Sequence, residues 1–90
     1  MITFDETKRE ANIAAHRVDI ATLTGFFDGD IATREDSRVT YGESRLQSVG
    51  WHDGELLFVV WTPRDDDWPH LISARKAERH EREAWKRYFG

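Results

Sequence analysis

The order of its hydrophobic patterns predicts an α+β fold for this 90-residue chain: two N-terminal helices, a three- to four-stranded antiparallel sheet and a C-terminal helix, in one domain spanning 1–90. Three observations predict it. Helical periodicity opens the chain, strand-like runs punctuated by Asp53-Gly54 fill its middle, and a charged run of good helix formers closes it.

In the first helix, Thr3 or Asp5 takes the N-cap, and Thr3 with Glu6 fits a capping box. Phe4, Ala11, Ala15 and Val18 share one sector at ~100° per residue, the face expected to dock on the core. Lys8, Asn12 and His16 recur at intervals of four along its border, either as a solvated flank or as part of a site. Asp19 then caps a short second helix with Ile20, Leu23, Phe26 and Phe27 as its apolar residues, and Asp28-Gly29-Asp30 turns the chain.

Residues 31 to 34 read as a short edge strand and residues 35 to 42 as loop. From 43 to 50, Arg45, Gln47 and Val49 alternate with Ser44, Leu46 and Ser48 as a strand would. Asp53-Gly54 is a hairpin signal leading into Leu56-Leu57-Phe58-Val59-Val60-Trp61, which is apolar on both faces and therefore belongs in the middle of the sheet. Pro63 and Asp65-Asp66-Asp67 end that strand, and residues 70 to 73 form the last one. Ser73 is read as the N-cap of the final helix, beginning at Ala74. On that helix Arg75, Arg79, Arg82 and Lys86 form one stripe, and Ala77, Ala84, Trp85 and Tyr88 form the docking face.

Composition narrows the function classes. A chain of this size supports one modest core, and 33% charged residues with a mean hydropathy of -0.70 leave no apolar run long enough to span a bilayer. No signal-like N-terminus is present, so the cytoplasm is the expected compartment and no membrane partner is expected. With zero cysteines, thiol catalysis and thiolate metal sites are excluded. The four histidines lack the i, i+4 pairing of a helical zinc site, and the aspartate run lacks the spacing of a calcium loop; neither a metal nor a cofactor is expected. There is no glycine-rich phosphate loop and no GxSxG elbow. The net charge of -4 argues against nonspecific nucleic-acid binding by the whole surface, yet residues 75 to 87 hold six Lys or Arg against three Glu, so one face can be positive.

What remains is a set of cations and proton carriers: Lys8, His16, Arg45, Arg75, Lys76, Arg79 and Arg82, with Glu43 and Glu81. Metal-independent RNA cleavage needs little more. A 2′-hydroxyl attacks the adjacent phosphorus, a base takes its proton, an acid protonates the departing 5′ oxygen, and fixed cations hold the growing charge. For Arg79 and Arg82 the plainer reading is pairing with Glu83 and Glu78 on a solvated helix face, and for Glu81 it is pairing with Arg75, Lys76 or Lys8.

The ordered pattern Phe4-Asp5-x-x-Lys8-x-x-x-Asn12-x-x-x-His16-x-Val18, Gly42-Glu43-x-Arg45, Gly50, Ile72-Ser73-Ala74-Arg75-Lys76-Ala77 and Glu81-Arg82 resembles the BrnT family of toxins over nearly the whole chain. The resemblance implies a RelE-like fold, endoribonuclease activity, and neutralisation by a BrnA-like ribbon-helix-helix antitoxin through which alone DNA would be engaged. It implies catalytic roles for Lys8, His16, Arg45, Arg75 and Glu81, and substrate contacts for Glu43, Lys76 and Arg82. Ala15 stands where the family usually has Lys, Arg17 where Gly is usual, His70 where a basic residue is common and Trp85 where Tyr is common. The rival reading is a noncatalytic module that keeps the toxin fold and its antitoxin surface. Direct DNA binding by the last helix ranks behind both, because its aromatic face is needed for packing.

Overall fold

Leu56-Leu57-Phe58-Val59-Val60 is apolar at every position because it runs through the middle of a sheet covered on both faces. The computed structural model describes residues 1–36, 44–64 and 68–90. Its elements are β1 (Thr3–Phe4), α1 (Glu6–His16), a 3-10 helix (Ile20–Asp28), β2 (Ala32–Glu35), β3 (Leu46–His52), β4 (Glu55–Pro63), β5 (Pro69–Lys76) and α2 (Arg79–Phe89). The sheet has five strands in the order β1-β5-β4-β3-β2.

The expected three- to four-stranded antiparallel sheet behind two N-terminal helices is thus corrected. The sheet is mixed, because Thr3 and Phe4 pair in parallel with His70 and Leu71 before the first helix begins. Thr3 is a strand residue whose hydroxyl meets His70 Nδ1 at 2.8 Å, and Asp5 takes the helix cap, accepting from the Thr7 and Lys8 amides. Asp19 caps the second helical segment as expected, but that segment is 3-10 in character.

The larger correction concerns the C-terminal third. Residues 74 to 76 continue β5, with Val59 opposite Ala74, Phe58 opposite Arg75 and Leu57 opposite Lys76. The helix propensity of Ser73-Ala74-Arg75 is a weak preference, overridden by the ladder of hydrogen bonds and by burial of Ala74. Helix α2 begins only after Glu78, so Arg75 never shares a helical stripe with Arg79 and Arg82.

Each face of the sheet has its own apolar cluster, where one core was expected. Leu57, Val59, Leu71 and Ala74 pack with Ile20, Leu23 and Phe26 of the 3-10 helix. On the opposite face Val49, Leu56, Phe58 and Val60 pack with Ile72, Ala77 and Trp85. Helix α2 is pinned there by Trp85, which donates to the Asp30 carbonyl at 2.9 Å and meets Trp51 edge to face.

Helix α1 docks differently from its apolar pattern. Ala11 and Ala15 are exposed, and the buried residue is Asn12. Its carboxamide donates to the Ala74 and Val18 carbonyls at 2.8 Å and accepts from the Ala74 amide at 2.9 Å. The side chain thereby completes the outer edge of β5 beyond the short β1, supplying a donor and an acceptor where a longer strand would have done so.

Candidate functional site

Strand register decides which charged residues can meet. Arg34 lies opposite Gln47, Gln47 opposite Val60, and Val60 opposite Ser73, while Phe58 lies opposite Arg75. Directly opposed residues share a face, so Arg34, Gln47, Phe58 and Arg75 all belong to the α2 side. Between that side and the first turns of α2 runs a cleft of two adjoining cavities, about 320 and 330 Å³. Arg34, Gln47, Phe58, His80 and Glu81 border both; Arg87 and Tyr88 line the first as well, and Glu35 and Asp36 the second.

Arg75 backs this cleft. Its Nη1 and Nη2 donate to the two oxygens of Glu81 at 2.8 and 2.7 Å, Nη1 also reaches the Lys76 carbonyl at 3.1 Å, and Nη2 lies 3.3 Å from Glu78. The guanidinium carbon stands 4.2 Å from the Phe58 ring centroid. Glu81 is 5% exposed, and its Oε1 additionally accepts from the Glu78 amide at 2.7 Å. Burial pushes this carboxyl up, but the hydrogen bonds from Arg75 and Glu78 and the charges of Arg75 and His80 outweigh it, holding Glu81 below the usual carboxylate range. An ionised carboxylate whose oxygens are committed to donors is poorly placed to move protons. The pair instead locks the start of α2 to β5.

The other sequence candidates are distributed as follows. Lys8 and His16 lie one helical turn either side of Asn12, whose side chain bonds to β5, and both are exposed; among the described residues, neither bonds or pairs with Arg75 or Glu81. Arg45 lies just before β3, its carbonyl accepting from the Asp36 amide at 2.8 Å, and it does not line either cavity of the cleft. Lys76 and Arg82 meet at a separate recess beside Trp51 and Glu55. Arg79 pairs with Glu83 at 3.2 Å on the solvated face of α2. Glu43 lies outside the described residues, as do Gly42, Ser37 and Asp65-Asp66-Asp67. Among the described residues no group of three or more His, Asp or Glu is placed to hold a metal ion, and no helix is long and apolar enough to cross a membrane.

Sequence reasoning missed Arg34, Gln47, His80, Arg87 and Tyr88 as residues of one cleft. Arg34 and Gln47 carried a usable signal, since both fall on one face of strands that were anticipated. His80 and Arg87 fall seven residues apart on one side of the last helix, but which side of that helix meets the sheet is decided by docking and not by the local pattern.

The family model described as the ribonuclease toxin BrnT of type II toxin-antitoxin systems matches residues 4–81. The chain belongs to this family. A similar solved structure is the ribonuclease toxin BrnT of Brucella abortus, 31% identical, covering 87% of this chain and 96% of that one with a TM-score of 0.66. No curated protein matches the chain. As a BrnT family member it is a ribonuclease toxin, and a type II system implies a protein antitoxin and an RNA substrate.

Proposed function

We propose that this BrnT family member is a metal-independent endoribonuclease that binds its RNA strand in the cleft between α2 and the β2–β3 side of the sheet. The supporting observation is that one imidazole and two guanidiniums, those of His80, Arg34 and Arg87, border a single cavity. In this reading neutral His80 takes the proton from a 2′-hydroxyl as that oxygen attacks phosphorus. The imidazolium returns the proton to the departing 5′ oxygen, leaving a 2′,3′-cyclic phosphate and a 5′-hydroxyl. Arg87 holds the charge growing on the phosphate. Arg75 and Glu81 act as positioning residues that fix the first turn of α2. Arg45, Lys76 and Arg82 contact the RNA backbone beyond the cleft, and Lys8 and His16 contribute at the β5 edge without carrying the proton. The antitoxin is a BrnA-like ribbon-helix-helix protein, and the exposed aromatics Trp51, Tyr88 and Phe89 offer it an apolar footing.

The test is cleavage of a long RNA in EDTA by the parent and by His80→Ala, with the new ends identified chemically. The parent should leave cyclic phosphates, and His80→Ala should lose ~10²-fold or more in rate with an unchanged melting temperature. Equal cleavage by the variant would remove His80 from the reaction. No cleavage by the parent would favour the noncatalytic module, a reading that gains from Arg75 being already engaged by Glu81.

A further inference from the structure

We propose that the floor of this cleft holds a guanine base of the RNA, read by Arg34 and Gln47; the inference rests on the ribonuclease reading and adds the base that the site selects. Arg34 Nε donates to Gln47 Oε1 at 2.8 Å. Because a guanidinium has only donors, the amide atom facing it must be the oxygen, which turns the Gln47 NH₂ away from Arg34. Gln47 is 6% exposed and borders both cavities, so this NH₂ is a fixed, nearly buried donor at the cleft. Among the described residues, no other side-chain partner takes the Arg34 Nη groups.

The floor therefore presents an array of donors. Guanine offers N7 and O6 as adjacent acceptors on one edge, whereas adenine carries an amino donor where guanine has O6, and cytosine likewise presents an amino group. Two acceptors side by side suit this array, and an amino group in the same place meets it donor to donor. Tyr88, 75% exposed at the rim, offers a ring on which the base can stack. A cavity of about 320 Å³ is of the size that small-molecule sites use.

The full chain is titrated with 5′-GMP, 5′-AMP and inorganic phosphate, followed by amide nuclear magnetic resonance including the side-chain amides. GMP should bind at least tenfold more tightly than AMP or phosphate and shift the Gln47 amide. Gln47→Glu should bring the GMP to AMP ratio near one. Arg34→Ala, at an exposed position where folding is not at stake, should do the same. Equal affinities for all three ligands would mean a plain anion site and overturn the inference, as would no binding of GMP by the parent. Mapping cleavage positions on a mixed RNA separates the two readings. Cleavage without base preference together with equal GMP and AMP affinities overturns the guanine site and leaves the ribonuclease. Preferential GMP binding without cleavage overturns the ribonuclease reading and leaves the guanine site.

Discussion

Arg75 and Glu81 face each other fork to fork, at 2.8 and 2.7 Å, across the junction where β5 ends and α2 begins. The geometry is that of a bidentate guanidinium–carboxylate pair, with one partner over the Phe58 ring and the other closing the first turn of a helix.

Glu81→Ala should destabilise the fold by about 2 kcal/mol, below the ~3–5 typical of breaking a fully buried pair, because the Arg75 side chain remains 29% exposed. Urea unfolding followed by tryptophan fluorescence measures it. An effect under ~0.5 kcal/mol would show the pair to be ornamental.

The same pair sets a dependence on pH. Glu81 is held below its ordinary value of 4.5, so its stabilisation is complete above that pH and is lost as pH falls through the folded-state value. Asp19, lowered chiefly by its hydrogen bonds from Arg9 at 2.8 and 2.9 Å, acts in the same direction. Stability should therefore be flat from neutral pH down to about 5 and fall more acidic than that. Glu81→Gln should show a shallower acid slope than the parent; an identical slope would contradict the assignment.

Asn12→Ala leaves the Ala74 amide and the Ala74 and Val18 carbonyls without their side-chain partner. The expected cost is about 2–4 kcal/mol, from unsatisfied buried groups more than from lost contact area. Asn12→Asp should be nearly as costly, since a carboxylate would then face two carbonyls. Amide exchange at Ala74 should accelerate in both variants.

Gly50→Ala should cost about 1–3 kcal/mol by overpacking. A Cβ built there would stand 2.6 Å from Ile31 Cγ2, 3.2 Å from Phe26 and 3.3 Å from the Asp30 carbonyl. A thermal shift of less than ~2 °C would show that Ile31 gives way easily.

His80→Ala and His16→Ala separate the cleft from the β5 edge. If the reaction runs in the cleft, RNA cleavage falls ~10²-fold or more in the first variant and less than tenfold in the second. The reverse order would move the chemistry to α1.

Much of the fold was legible locally. The cap at Asp19, the hairpin at Asp53-Gly54 and the central place of β4 follow from short-range patterns, and the structure keeps each of them; of the two caps offered for the first helix, it takes Asp5 and puts Thr3 in a strand. The parallel pairing of Thr3 and Phe4 with β5 was not legible, because two residues carry no periodicity and the partner is more than sixty positions away. The burial of Asn12 was hidden for a related reason. A polar residue on a helix border reads as solvated unless the strand edge it completes is known.

The chain by itself determined that the molecule is one small set of strands and helices without thiols, and the ordered motifs around Lys8, Asn12, His16 and Arg75 marked its family. Only the tertiary structure decided that Arg75 belongs to a strand, that Glu81 occupies its fork, and that Arg34, Gln47 and His80 share a cleft. Local propensity is worth a few tenths of a kcal/mol per residue, whereas strand register and the docking of α2 place residues distant in sequence against one another, and those longer-range terms are larger.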